Sequence, residues 1–405
     1  MSWIQICPSC DAQGLDIFYS VDNVPVNSVL LLSTREEALS FPTGNIALGF
    51  CHSCGFIANT AFQQELTEYS SRYESTQAYS PTFNAFAKRL ALGLIEKYDL
   101  QGKDIIEIGC GQGEFLIQLC ELGDNRGIGF DPAYLDERID VASKERITFI
   151  KDFYSEKYTS YQSDFVCCKM TLEHIIDTGE FIGTVRRSIG ERPETIVYFQ
   201  IPNANYVLEE IAFWDVYYEH CSYFSKGSLG RLFRRNGFDV LNLDTDYNDQ
   251  YLMIEAKPIA GATTKSLNGS GSHAMTLLDG EDDLALLKEQ VDYFAQNVQS
   301  RHAKWKQIVQ EARQNGGQVV LWGGGSKAVA FLTTLGIMEE IGYAVDINPL
   351  KHGTFLPVTG QEVIAPERLQ EIQPALIIAM NPIYCPEIQQ DLDRLGIGSR
   401  LIGLE

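Results

Sequence analysis

Short apolar runs and helical patterns alternate through the middle of the chain. Ile105 to Ile108, Gly127 to Phe130, Ile147 to Ile150, Phe165 to Cys168, Thr195 to Ile201, Val240 to Leu243 and Tyr251 to Ala256 read as strands. Upstream, Phe83, Phe86, Leu90, Leu94 and Ile95 recur at helical spacing and predict a helix over 82–98 that leads into the first strand. This alternation predicts an α/β fold with a doubly wound sheet, whose ligands sit at the carboxyl ends of the strands.

The run from Gly261 to Ser272 is small and polar, a linker by composition. Beyond it, Leu284, Leu287, Val291, Phe294, Val298, Trp305, Ile308 and Ala312 recur mostly at three- and four-residue steps, which predicts one long helix with an apolar stripe. Val319-Val320-Leu321-Trp322, the glycine-rich Gly323 to Ala328, a helix and Tyr343-Ala344-Val345-Asp346 then repeat the strand-loop-helix grammar as a second Rossmann-like unit. The N-terminal stretch reads as loop-rich, punctuated by Val24-Pro25-Val26 and Phe41-Pro42-Thr43-Gly44. The expected division is 1–62, 63–257, a connector over 258–279, and 280–405.

The first strand runs into Gly109-Cys110-Gly111-Gln112-Gly113, a turn that lets backbone N–H groups approach a nucleotide-type cofactor. A dinucleotide fingerprint needs its third glycine at 114, where this chain has Glu114, and the glycine stands one place early. Glu107, two places before the first glycine, repels a pyrophosphate but suits a cationic amino acid end. S-adenosylmethionine meets both conditions. Asp131, ending the second strand, can accept from both ribose hydroxyls, and Asp152 after the third can accept from an adenine amino group. Cys110, Gly113 and Phe153 complete the expected cofactor-binding set.

Composition narrows the partners. With 32 Lys and Arg against 54 Asp and Glu, a formal charge of -22 disfavours nucleic acid and anionic membrane surfaces and favours a small-molecule acceptor. No apolar run approaches the roughly 20 residues of a membrane span and the N-terminus lacks a signal pattern, so a cytoplasmic location is expected. Among ten cysteines, Cys7-Pro8-Ser9-Cys10 and Cys51-His52-Ser53-Cys54 form two C-x-x-C knuckles. Such a set supplies four thiolates to one structural zinc, with His52 a spare neighbour and the metal standing in for a core.

Together these features resemble the sugar C-methyltransferase family. The carriers are the two knuckles, the Glu107 to Gly113 loop, Leu172-Glu173-His174-Ile175, the segment Tyr217 to Ser225, Gly323 to Lys327, and Asp346 to Gly353. The resemblance covers nearly the whole chain and implies an N-terminal zinc-binding module, a class I methyltransferase Rossmann-like domain and a C-terminal Rossmann-like domain. The family's Tyr-His-Glu-His stands here as Tyr217-Tyr218-Glu219-His220, one histidine replaced. The tyrosine that the family places over the site corresponds to Tyr73 or its neighbour Tyr69.

Carbon methylation needs a base that removes a proton beside a carbonyl. Of six histidines, His174 follows the fourth strand and His220 lies beyond the fifth, both on the ligand-bearing edge. His220 is the expected base and His174 the runner-up, with Glu219, Tyr217 and Tyr73 as catalytic neighbours and Tyr223 as a substrate contact. The resemblance implies a C-terminal domain that holds substrate, Ser326 and Lys327 suiting a phosphate or diphosphate, as in a nucleotide-linked keto-sugar. Oxygen methylation would use the same base and cofactor. Gly323 to Ala328 with Asp346 also meets a dinucleotide pattern, an NAD-dependent oxidoreductase reading, and a catalytically silent scaffold would leave the two histidines exposed and far from the cofactor.

Overall fold

A computed structural model describes residues 4–136, 144–261, 276–314 and 316–405. The N-terminal part carries β1 (Asp16–Pro25), α1 (Arg35–Leu39), β2 (Thr43–Phe50) and β3 (Ile57–Asn59). The middle runs α2 (Pro81–Tyr98), β4 (Asp104–Ile108), α3 (Glu114–Leu122), β5 (Arg126–Phe130), β6 (Ile147–Ile150), β7 (Phe165–Lys169), α4 (Thr178–Ile189), β8 (Ile196–Pro202), α5 (Ala204–Glu209), β9 (Ser222–Tyr223), α6 (Lys226–Arg235), β10 (Phe238–Asp246) and β11 (Tyr251–Pro258). The last part runs α7 (Leu284–Gln314), β12 (Val319–Trp322), α8 (Ser326–Leu335), β13 (Tyr343–Val345), β14 (Glu362–Ile364), α9 (Leu369–Ile372), β15 (Leu376–Ala379), α10 (Cys385–Leu395) and β16 (Arg400–Gly403).

The seven strands expected in the middle form one sheet, ordered β10-β11-β8-β7-β4-β5-β6. β8, β7, β4, β5 and β6 are parallel, and β11 runs antiparallel to both β8 and β10. Chain order reverses between β4 and β7, so the crevice beyond their carboxyl ends is the switch point where an open α/β sheet takes its ligand. The helix expected over 82–98 forms as α2, started by Pro81 and by the Ser80 hydroxyl accepting from Phe83 N–H, and ended by Asp99 in the left-handed region. The C-terminal strands make a parallel sheet ordered β14-β13-β12-β15-β16. The apolar stripe of α7 buries Leu287, Val291, Phe294, Val298, Trp305 and Val309. The Gly261 to Ser272 run lies, after Gly261, outside the described residues.

The N-terminal part differs from the loop-rich module expected. β1 and β2 pair over most of their length, β3 follows, and β9 from the middle of the chain closes a four-stranded sheet. Nor does a metal replace its core: Val24, Val26, Ile46, Leu48 and Phe50 join one apolar cluster with Trp214, Phe294 of α7 and Phe331 of α8. The register shifts within β1 account for its weak signal, since an irregularity breaks the two-residue alternation by which a strand is read. Among the described residues, no helix is long and apolar enough to cross a membrane.

Candidate functional site

A cavity of about 760 Å³ opens at the switch point, walled by the glycine loop on one side and the start of α8 on the other. In the loop, Gly109 has φ +69°, and a Cβ there would lie 1.9 Å from Thr171 Oγ1, so both conformation and space require glycine. Asp131 Oδ2 accepts from Gly111 N–H at 2.9 Å and Oδ1 from Ala133 N–H at 2.7 Å, which ties the loop to the end of β5. Gly113 caps α3 without a side-chain partner, leaving that helix end to the loop.

Glu107 is buried, and its Oε2 has no hydrogen-bond partner. Burial raises its carboxyl to about 8, partly opposed by the nearby Lys169 ammonium, whose Nζ sits 3.7 Å from the Phe115 ring centroid. An unsatisfied carboxyl facing the cavity calls for a cationic donor, so these residues fit the amino acid end of S-adenosylmethionine. Asp152 and Phe153 also line the cavity, but Asp152 is already engaged, accepting from Lys157, from Tyr158 O–H at 2.6 Å and from Phe153 N–H at 2.8 Å. An adenine amino group would have to use a remaining lone pair.

His174 and His220, from loops after β7 and β8, both line the cavity with ring centroids 4.8 Å apart. His174 Nδ1 lies 3.0 Å from the Glu219 carbonyl oxygen and 3.0 Å from Tyr69 Oη. Because a carbonyl only accepts, Nδ1 carries the hydrogen and Nε2 keeps its lone pair. Burial lowers His174 to about 4, and burial with the neighbouring His174 and Lys327 pushes His220 well below its ordinary value. Both rings are therefore neutral at pH 7. Tyr217 packs 4.1 Å from the His220 ring, and Tyr69, Tyr73 and Tyr217, all on the cavity wall, are kept as neutral phenols because burial raises them well above their ordinary range.

Two residues expected at the site point elsewhere. The Glu219 carboxylate accepts from Asn27 Nδ2 at 3.0 Å, Ser28 N–H at 3.2 Å and the Ser28 hydroxyl, and it holds the N-terminal segment rather than the cavity. Only its backbone carbonyl reaches the site, through His174. Tyr223 pairs with Ile57 in the N-terminal sheet and lies behind His220, ring centroids 6.4 Å apart. Tyr218, the residue that replaces the family's histidine, is also turned away: its hydroxyl accepts from Gln63 N–H at 2.8 Å and its ring covers Gly44.

On the opposite wall, α8 begins at Gly325 without a side-chain cap, and Ser326 and Lys327 face the cavity. Lys327 Nζ donates to Asp215 Oδ2 and Gln250 Oε1, each at 2.9 Å, and Asn381 Nδ2 donates to the same Gln250 oxygen at 2.8 Å. This network joins the two Rossmann-like units across the cavity. Asp215, Gln250, Lys169 and Glu173 were missed from the sequence. Lys169, a charge ending the apolar run Phe165 to Cys168, was the one local signal available.

The remaining cluster is compact: the Sγ atoms of Cys7, Cys10, Cys51 and Cys54 all lie within 4.8 Å of one another. Cys7 to Cys54 and Cys10 to Cys51 are each 3.7 Å apart. That matches the edge of a tetrahedron with metal-sulfur bonds of about 2.3 Å, roughly 3.8 Å, and far exceeds a disulfide bond. His52 stays outside the set, 2.8 Å from Asp16.

The chain is similar in sequence to known methyltransferases. Residues 82–243 match the family described as a methyltransferase domain, and residues 261–402 match the C-methyltransferase C-terminal domain. C-methyltransferase NovU of Streptomyces niveus is 25% identical over 324 residues, covering 76% of this chain and 74% of that protein. Among solved structures, magnesium protoporphyrin IX methyltransferase of Synechocystis PCC 6803 with bound SAH is 16% identical, with a TM-score of 0.34, over 44% of this chain and 84% of that one. A protein from Pyrococcus horikoshii OT3 is 17% identical, with a TM-score of 0.36, over 45% of this chain and 94% of that one. The fold and site thus define an S-adenosylmethionine-dependent methyltransferase of class I architecture. The chain thus joins a methyltransferase domain to a domain that matches the C-terminal domain of C-methyltransferases.

Proposed function

We propose that the protein methylates a carbon of a small keto-sugar, carried on a nucleotide, with His220 as the base. The observation that carries this reading is the pair of neutral histidines lining the same cavity as the cofactor loop and the uncapped start of α8. When bound at Glu107, Gly109, Gly111 and Asp131, S-adenosylmethionine supplies an electrophilic methyl group. His220 lies on the side of Lys327, where the acceptor would be held, whereas His174 is tied to Tyr69 beside the cofactor loop. His220 takes the proton next to the carbonyl, and the phenols of Tyr69, Tyr73 or Tyr217 donate to the enolate oxygen that forms.

The open N–H groups of α8, with Ser326 and Lys327, suit the phosphates of a nucleotide. We also infer a structural zinc on Cys7, Cys10, Cys51 and Cys54, and units spanning 1–62, 63–257 and 280–405, with β9 lent by the second to the sheet of the first. The similarity to a C-methyltransferase supports a role in natural-product biosynthesis, and we infer a cytoplasmic location.

Incubation of nucleoside-diphosphate keto-sugars, and of hydroxylated small molecules, with methyl-labelled cofactor tests the reading. The label should appear on a carbon beside the carbonyl. A label found only on oxygen supports the O-methyltransferase reading instead, and stoichiometric NAD(P) on the purified protein would favour an oxidoreductase.

A further inference from the structure

Two polar atoms in the cavity wall are buried without a partner, Glu173 Oε2 and His220 Nδ1. Buried polar groups are nearly always paired, so two such atoms on neighbouring residues need an account. One carboxylate oxygen of Glu173 and one ring nitrogen each of His174 and His220 lie within 4.8 Å of one another. The backbone locks the pieces together, since Cys221 N–H donates to the Glu173 carbonyl at 2.9 Å beside His220. His174 Nδ1 is already taken by the Glu219 carbonyl, and the Glu219 carboxylate by Asn27 and Ser28. Glu173 is the carboxyl left to serve His220.

We propose that Glu173 is the positioning residue of the base, its carboxylate accepting from His220 Nδ1–H so that Nε2 presents its lone pair to the acceptor. The proposal rests on the reading of His220 as base. In the step itself, Nε2 takes the proton, the C–H electron pair becomes the enolate, and the imidazolium is left beside the Glu173 carboxylate. Burial raises the Glu173 carboxyl to about 8, so its ionised form is costly there and is relieved when a cation forms next to it. The other titratable groups around the pair are His174, Lys327, Tyr69, Tyr73, Tyr217, Tyr223, Cys168, Cys221 and Glu219. The phenols and the two thiols are held protonated by burial and His174 is held neutral, which leaves Glu173 as the acid free to pair with His220.

Long-range proton–nitrogen NMR of the full chain, labelled at its histidines, reads this without any acceptor and so separates its failure from that of the proposed reaction. As Glu173 ionises between about pH 6 and about pH 9.5, the uncharged His220 ring should change from the Nε2–H to the Nδ1–H tautomer. Glu173→Gln should abolish that change while His174 keeps Nδ1–H. Binding of S-adenosylhomocysteine, unchanged in the variant, shows that the fold is intact; Glu173→Asp should restore part of the tautomer change. With dTDP-4-keto-6-deoxyglucose as acceptor, Glu173→Gln should lower kcat by roughly 10- to 100-fold with KM nearly constant, and cause no further loss in a His220→Asn background. A tautomer indifferent to Glu173, additive losses, or a metal ion bound by this trio and absent from Glu173→Gln would each overturn the proposal.

Discussion

His174 and His220 stand edge to face, their ring planes at 87°, although they come from loops that follow different strands. The sheet order makes this possible: β7 and β8 are parallel neighbours, so the loops leaving their carboxyl ends meet over the same crevice. One ring is fixed by the Glu219 carbonyl, and the other faces the wall that carries Lys327.

Lys327 bridges the two Rossmann-like units through Asp215 and Gln250, and it lies in the first turn of α8, where the acceptor phosphates are proposed. Lys327→Ala should raise KM for a nucleotide keto-sugar by about tenfold and leave cofactor affinity unchanged. Steady-state kinetics with calorimetry on the cofactor checks it. Equal losses in both affinities would mean that the lysine holds the units together rather than the substrate.

The glycine loop was legible because its chemistry is local. Gly109, Gly111, Glu107 and Asp131 can be placed from spacing alone, and every strand of the central sheet could be read from its apolar run. Glu219 and Glu173 show what local pattern cannot supply. Both are acids beside a candidate histidine, and only the packing of Asn27 and Ser28, some 190 residues upstream, turns the first away from the cavity and leaves the second facing it. The N-terminal sheet was hidden for the same reason, since its fourth strand, β9, is two residues borrowed from the middle of the chain.

Gly109→Ala should weaken cofactor binding. The new methyl would collide with Thr171 Oγ1 and the residue would sit at φ +69°, so the loop must shift away from its ligand. Titration calorimetry with S-adenosylhomocysteine should show affinity reduced more than tenfold, with the melting temperature of the unliganded protein lowered by only a few degrees. Retained affinity would place the cofactor elsewhere.

Cys51→Ser should remove one equivalent of zinc. It should also lower the melting temperature of more than the N-terminal part, because that part shares its core with α7 and α8. Metal analysis and calorimetry check both. Protein purified without chelator, free of zinc and with all four thiols titratable, contradicts the assignment.

Glu107 and Glu173 have ordinary values near 4.5 in the unfolded chain and about 8 when folded. The folded state therefore binds their protons more tightly. The resulting stabilisation is complete below about pH 4.5 and is lost as pH rises through about 8. Glu173→Gln cannot ionise, so its melting temperature should match the wild type near pH 5 and exceed it by a few degrees near pH 8.5. Melting curves that stay parallel across this range would show that Glu173 does not titrate this way.

Proton abstraction from carbon is the step on which the account turns, and hydrogen exchange observes it apart from methyl transfer. The wild-type protein in D₂O, saturated with S-adenosylhomocysteine, should exchange the C–H beside the carbonyl of dTDP-4-keto-6-deoxyglucose. His220→Asn should not exchange it, while binding S-adenosylhomocysteine normally, and its kcat for methylation should fall by roughly 10² to 10⁴-fold. Exchange at the wild-type rate in His220→Asn would contradict the assignment of the base, and methylation of this acceptor by the wild type without any C–H exchange would contradict carbon as the acceptor atom.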